Sequence, residues 1–219
     1  MRRRPPTRTG TLRPDLIPLG IILLLATAAV AEPPSFDCLE TGGAATALVC
    51  RDQDLAVLDR EVERLFQLAQ DANHLSEAGR AEIVQRQHLW LRQRDACEKS
   101  ADLARCMLDS YVQRIHALRR DHAASRSRDE EGISKGPMVM TCSGLESPVS
   151  LTFVDSDTPH AYLQWSDRHL VATLAPAASG SKYMAHETDG DYVFWIKRDT
   201  ALFEWPGEPA LDCAIQASN

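Results

Sequence analysis

The sequence lacks the short patterns that most often carry enzyme chemistry. It has no GxSxG turn for a nucleophilic serine, no HExxH helix for zinc, no glycine-rich phosphate loop and no CxxC pair for a redox centre or zinc ribbon. The seven histidines are scattered. His160 and His169 could approach each other, but two histidines without carboxylate support do not make a metal centre. No catalytic residue, metal or cofactor is therefore expected. Positive charge is also in short supply, with Lys+Arg at 24 against Asp+Glu at 31 and a net charge of −7. That balance disfavours nucleic acid and anionic lipid and suits a cationic partner.

What is present begins with an export signal. Arg2, Arg3, Arg4, Arg8 and Arg13 form a basic start, Leu16 to Val30 is uncharged and apolar apart from Thr27, and Ala29-Val30-Ala31 has the small-x-small form of a cleavage site. These features predict a secretory signal peptide over residues 1–31, cut after Ala31, with an apolar run too short to span a membrane comfortably. No cysteine follows the run closely, the first being Cys38, so a lipobox is absent. A periplasmic or secreted protein, free of the membrane after cleavage, is expected. Losing five arginines and Asp15 takes the net charge from −7 to −11.

The cysteines are Cys38, Cys50, Cys97, Cys106, Cys142 and Cys213. An even number in an exported chain argues for disulfides, and six allow fifteen pairings. The division of the chain set out next suggests Cys38–Cys50, Cys97–Cys106 and Cys142–Cys213.

Residues 32–122 carry a helical period. A short helix is expected within 40–50. Asp52 can cap a second, in which Leu55, Leu58, Val62, Leu65, Phe66 and Ala69 recur at spacings of three and four. Ser76 can cap a third, whose stripe combines Ile83, Trp90 and Leu91 with Gln87 and Arg94. A fourth starts near Asp102 and buries Leu103, Met107, Tyr111, Ile115 and Leu118. Four such helices with short joins predict an antiparallel bundle. Trp90, Arg94 and Asp95 are read as structural, since a tryptophan on a helix stripe usually belongs to the core.

Residues 123–137 mix Ser, Gly and charges of both signs without an apolar stripe, and are expected to form a flexible linker. From 138 to 219 the period becomes two. Short alternating runs such as 149–153, 161–165, 170–174 and 192–196, separated by turn-forming residues, predict seven or eight antiparallel strands in a small up-and-down β-barrel. A bond between Cys142 and Cys213 would join the first and last strands and contribute about 4 kcal/mol by the chain-entropy estimate.

One stretch, Ser179 to Lys197, carries the functional argument. It reads as a Ser179-Gly180 turn, Tyr183, a polar tip over 185–191, and a strand Tyr192-Val193-Phe194-Trp195-Ile196 ending at Lys197. The ordered set Ser-Gly-x-x-Tyr then Phe-Trp-x-Lys resembles the signature of the membrane-bound and periplasmic inhibitors of c-type lysozyme. The resemblance implies that Ser179 and Lys197 enter the lysozyme cleft and meet its two catalytic carboxyls. It further implies that Gly180 keeps the loop narrow, and that Tyr183, grouped with these as a binding residue, braces the loop together with Trp195. The chain departs from that family with Arg198 where a glycine is usual, and with about four extra residues between Tyr183 and Trp195. The family also has a cysteine at each end of its barrel, matching Cys142 and Cys213.

In the helical part, Phe36-Asp37-Cys38, Cys50-x-Asp52, Leu55-Ala56-x-Leu58-Asp59, Trp90-Leu91-x-x-Arg94-Asp95-x-Cys97, Cys106 and Tyr111-x-x-Arg114 resemble the N-terminal domain of the LprI-type lysozyme inhibitors over about 80 residues. Together the resemblances imply an exported, non-enzymatic inhibitor with a c-type lysozyme as its partner. The alternative is a cell-envelope adaptor whose helical domain binds another periplasmic partner.

Overall fold

A computed structural model describes residues 32–40, 42–128, 130–198 and 200–216. The expected signal peptide lies outside the described residues. Four helices come first: α1 (Ala44–Val49), α2 (Gln53–Gln70), α3 (Glu77–Asp95) and α4 (Leu103–Asp121). The starts of the three long helices follow the local chemistry. Asp52 accepts from Leu55 N, Ser76 from Gly79 N and Asp102 from Arg105 N, each satisfying an amide that the first helical turn leaves unpaired. The apolar stripes of α2 and α4 meet in a core of Leu58, Val62, Leu65, Met107, Tyr111, Ile115 and Leu118.

Helix α3 contributes a largely polar inner stripe: Ile83, Gln87, Trp90 and Arg94 are its buried residues. That stripe is satisfied by a chain of bonds across the bundle. The Arg94 guanidinium donates to the Tyr111 hydroxyl at 3.0 Å and to Asp95, and Tyr111 donates to Asp59 Oδ1 at 2.8 Å. The Ser35 amide and hydroxyl complete the Asp59 carboxylate at 2.8 and 2.6 Å. Trp90 packs edge-on against Tyr111 with ring centroids 5.4 Å apart. Burial, with the nearby Asp59 charge, pushes the Tyr111 hydroxyl well above its usual range, so it stays protonated and donates.

Eight strands close a barrel in simple sequence order: β1 (Ser134–Cys142), β2 (Val149–Val154), β3 (His160–Trp165), β4 (Arg168–Ala175), β5 (Ser181–Glu187), β6 (Gly190–Lys197), β7 (Thr200–Glu204) and β8 (Leu211–Gln216). Every neighbouring pair is antiparallel, and β8 returns to β1 with Cys142 opposite Cys213. Full closure leaves no free edge. The interior is filled by Leu151, Leu163, Trp165, Tyr183, Tyr192, Phe194 and Phe203 among others. The disulfides are Cys38–Cys50, Cys97–Cys106 and Cys142–Cys213.

The structure differs from the sequence reading in two places. First, residues 181–187 form β5; the polar tip shrinks to Thr188 and Asp189 at the end of a β5–β6 hairpin. Tyr183 and Ala185 point inward while Lys182, Met184 and His186 point outward, a short period-two signal that the apolar Met184 and the charged flank at 186–191 mask. Second, the expected linker is structured. Ala123–Arg126 is a 3-10 helix whose buried Ser125 hydroxyl donates to Leu65 O at 3.0 Å, and β1 begins at Ser134, within that stretch. Composition alone could not show this, because the partners lie on α2 and α4. Ser134 bonds the Glu61 carboxylate, and Arg119 reaches both Ser134 Oγ at 3.2 Å and Gly136 O at 2.8 Å.

The bundle and the barrel accordingly share a core. Val154, Tyr162 and Val171, on the outer faces of β2, β3 and β4, join the helical cluster. His116 of α4 stacks on Tyr162 with centroids 4.4 Å apart and meets Thr152 Oγ1 through Nδ1 at 2.8 Å. Asp54 of α2 accepts from Thr158 N at 3.1 Å and lies 3.3 Å from His160 Nε2. At the opposite end of the barrel, Arg105 of α4 reaches Val171 O at 3.1 Å and Glu187 at 3.0 Å.

Burial, helped by the Arg120 charge, pushes His116 from 6.5 down to about 4. The folded chain therefore refuses a proton that the unfolded chain accepts below pH 6.5. No cost exists above that pH; it grows as pH falls and reaches on the order of 3 kcal/mol near pH 4. His116→Gln should remove that part of the acid sensitivity. Urea midpoints at pH 8 and pH 4.5 check it: the drop should be clearly smaller in the variant, and an equal drop would rule out His116 as the source.

Candidate functional site

In an up-and-down barrel, alternate connections share one end. The β4–β5 loop (176–180) and the β6–β7 connection that begins at Arg198 thus lie at the same end, and the β5–β6 tip lies at the other. Ser179 and Lys197, eighteen positions apart in sequence, are brought together by the pairing of Ser181 with Ile196. Gly180 is where the two segments touch. Its φ of +69° is in the left-handed region, and an added Cβ would sit 2.2 Å from Ile196 O and 3.2 Å from Lys197 Cγ. No other residue type fits there without displacing β6.

Ser179, Gly180, Lys197 and Arg198 are all exposed. With Thr200 they line a depression of about 650 Å³. The Trp195 indole N–H donates to Ser179 O at 2.8 Å, which ties the loop to the barrel wall. The Lys197 ammonium lies 3.8 Å from the centre of the Trp195 ring, and Lys182 approaches the same ring at 5.9 Å. Thr200 Oγ1 donates to Lys197 O at 3.0 Å and tightens the turn. Among the described residues, Lys182, Lys197 and Arg198 have no carboxylate in ion-pair contact. This rim is therefore a local cluster of cations with available donors on a chain of negative net charge.

Tyr183 stands apart from the other three. It is buried in the barrel interior against Phe153 and Phe194, with ring centroids 5.7 and 6.2 Å away. It lies beneath the loop and is 8% exposed. Lys182 and the Trp195–Ser179 bond were not legible in the sequence, because they depend on β5 being a strand that sets Lys182 opposite Trp195.

Both departures from the inhibitor signature have a structural account. Arg198 has a φ of +60°, a conformation that glycine adopts without strain and that side-chain-bearing residues rarely do, so this turn demands the backbone that a glycine usually supplies. Tyr183 pairs directly with Phe194, so extra length between Tyr183 and Trp195 extends the far end of the hairpin, toward Arg105, and leaves the Ser179 end unaltered.

Gly180→Ala should cost about 1–2 kcal/mol in stability from the left-handed backbone alone. It should also move the Trp195 indole N–H resonance as the loop is pushed off β6. An unshifted indole signal would show that the loop is not held in this way.

Comparison with known proteins places the site in context. Residues 141–212 match a family described as membrane-bound lysozyme-inhibitor of c-type lysozyme. Among curated proteins, the chain is similar to lipoprotein LprI of Mycobacterium bovis and of Mycobacterium tuberculosis, at 25% identity over 180 residues, covering 75% of this chain and 84% of the relative. The segment matched by the family spans the β4–β5 loop that carries Ser179 and Gly180 and the strand β6 that ends at Lys197. The chain thus resembles both groups, with its barrel as the part that resembles the inhibitor family. No helix among the described residues is long and apolar enough to cross a membrane.

Proposed function

We propose that this chain is an exported, non-enzymatic inhibitor of c-type lysozyme that seats the Ser179-Gly180 loop and Lys197 in the enzyme's cleft. One observation carries the reading: Gly180 packs on the Ile196 carbonyl and so sets the Ser179 hydroxyl-bearing loop beside the Lys197 ammonium on one exposed rim. A c-type lysozyme uses two carboxyls, one protonated and one ionised, about 5–5.5 Å apart. A plug must exclude the sugar and satisfy both. A hydroxyl donates to or accepts from a carboxyl in either state, and an ammonium neutralises the ionised one. The Trp195 bond holds the loop before binding, which lowers the ordering cost at the interface.

Arg198 and Lys182 flank the same rim and extend its complementarity to an acidic cleft. The three disulfides fit an oxidising compartment such as the periplasm or the exterior. The shared core favours the helical region as a support for the barrel over an independently acting head.

Purified mature chain, residues 32–219, should slow cell-wall lysis by a c-type lysozyme in a saturable manner. It should leave a g-type lysozyme, whose cleft is built differently, much less affected. Full activity of the c-type enzyme in the presence of excess chain would end this reading.

A further inference from the structure

A second concave site lies between α3, α4 and β3, away from the barrel end just described. It is a cleft of about 300 Å³, within the range of small-molecule pockets. Its walls carry Trp90, Arg114, His116, Arg120, Tyr162 and Gln164, with Arg86 and the half-exposed Leu89 at the rim. Trp90 and Arg114 belong to the two helical motifs that the lysozyme reading leaves unused.

The polar groups here are incompletely partnered. Arg114 is partly buried and stacks on Trp90 at 5.8 Å. Its Nε and Nη2 both donate to the neutral Gln87 Oε1, at 3.0 and 2.7 Å, and among the described residues no carboxylate is in ion-pair contact with it. Burial lowers its pKa to about 10, as expected for a cation short of compensation. His116 is 1% exposed, and its Nε2 has no well-formed hydrogen bond, although Gln164 is nearby. Arg120 is held by Asp121 and by Gln164. Arg86 is paired with Glu82. Three guanidiniums thus surround the cleft, Asp121 is the one carboxylate among its lining residues, and an imidazole nitrogen on its wall lacks a partner. A buried, unpartnered polar atom in a basic cleft marks a place where a ligand can supply what the protein lacks.

We propose that this cleft binds a small organic oxyanion, a carboxylate or phosphate ester of about sugar size, with the anion on Arg114 and a polar group of the ligand's body accepting from His116 Nε2 on the opposite flank of α4. The planar guanidinium of Arg114 suits two-point contact with an oxyanion. The Thr152 hydroxyl can donate to His116 Nδ1, which leaves Nε2–H to donate outward.

The test is calorimetric titration of the mature chain with N-acetylmuramic acid, glucose 6-phosphate and the neutral N-acetylglucosamine. At least one acidic sugar should bind at about millimolar concentration or below, and the neutral one about tenfold more weakly or worse. Which acid binds tells carboxylate from phosphate. Arg114→Gln should weaken binding about tenfold or more. Leu89→Glu leaves the core untouched and places a competing carboxylate at the rim, so it should weaken binding similarly. No heat from either acid up to about 10 mM, equal binding of the neutral sugar, or unchanged affinity in both folded variants would overturn the proposal.

Discussion

Lys197→Ala is expected to weaken lysozyme inhibition by about 2–5 kcal/mol, roughly 30-fold to several-thousand-fold in the inhibition constant. The size comes from what the mutation leaves behind. With the sugar excluded and water displaced, the ionised carboxyl of the enzyme would be buried without its cation. Ser179→Ala should cost less, roughly 1–3 kcal/mol, since it removes a hydrogen bond and no charge. Lys197 is exposed, and its ammonium rests on the Trp195 ring at the surface, so thermal stability should barely move. Titration of a c-type lysozyme with both variants, alongside melting curves, checks this. Unchanged inhibition by Lys197→Ala would remove the cleft plug from consideration.

The second large effect concerns stability. Arg119 is fully buried where α4 meets β1, donating to Gly136 O at 2.8 Å and to Ser134 Oγ at 3.2 Å, while Ser134 bonds the buried Glu61 carboxylate. Arg119→Ala opens a cavity and leaves these acceptors short of a donor in the interior, so it should destabilise the chain by about 3–5 kcal/mol. Because α2, α4 and β1 all converge on this side chain, the parent should unfold in one transition and the variant in separate ones for bundle and barrel. The exposed Arg92 provides the control, and Arg92→Ala should stay within about 0.5 kcal/mol of the parent. Chemical unfolding followed by near-UV and far-UV signals distinguishes the cases; coincident, unshifted curves for Arg119→Ala would contradict the shared-core description.

How much of this was legible in the sequence depends on whether the cause was local. Helix starts were, because Asp52, Ser76 and Asp102 act on amides three residues away. Barrel strands such as 149–154 and 160–165 were, because period-two alternation is a local consequence of the pleat. Strand β5 was missed because its inward pair Tyr183 and Ala185 is short and runs into His186, Glu187, Asp189 and Asp191. The union of bundle and barrel was invisible because Ser134, Thr152, Tyr162 and His116 find their partners only across the fold. At the candidate site, the motif named Ser179, Gly180, Tyr183 and Lys197 and gave Tyr183 and Trp195 a bracing part, but it could not give the atoms involved, the Trp195 indole N–H on the Ser179 carbonyl and the Tyr183 ring inside the barrel.

The central claim is that the occupied surface of the enzyme is its own substrate groove. The most direct measurement is calorimetric binding of the mature chain to a c-type lysozyme with and without a saturating chito-oligosaccharide already in the groove. The account predicts strong binding to the free enzyme and a loss of apparent affinity in proportion to oligosaccharide occupancy. Binding of equal strength to the filled enzyme would place the contact elsewhere and contradict it.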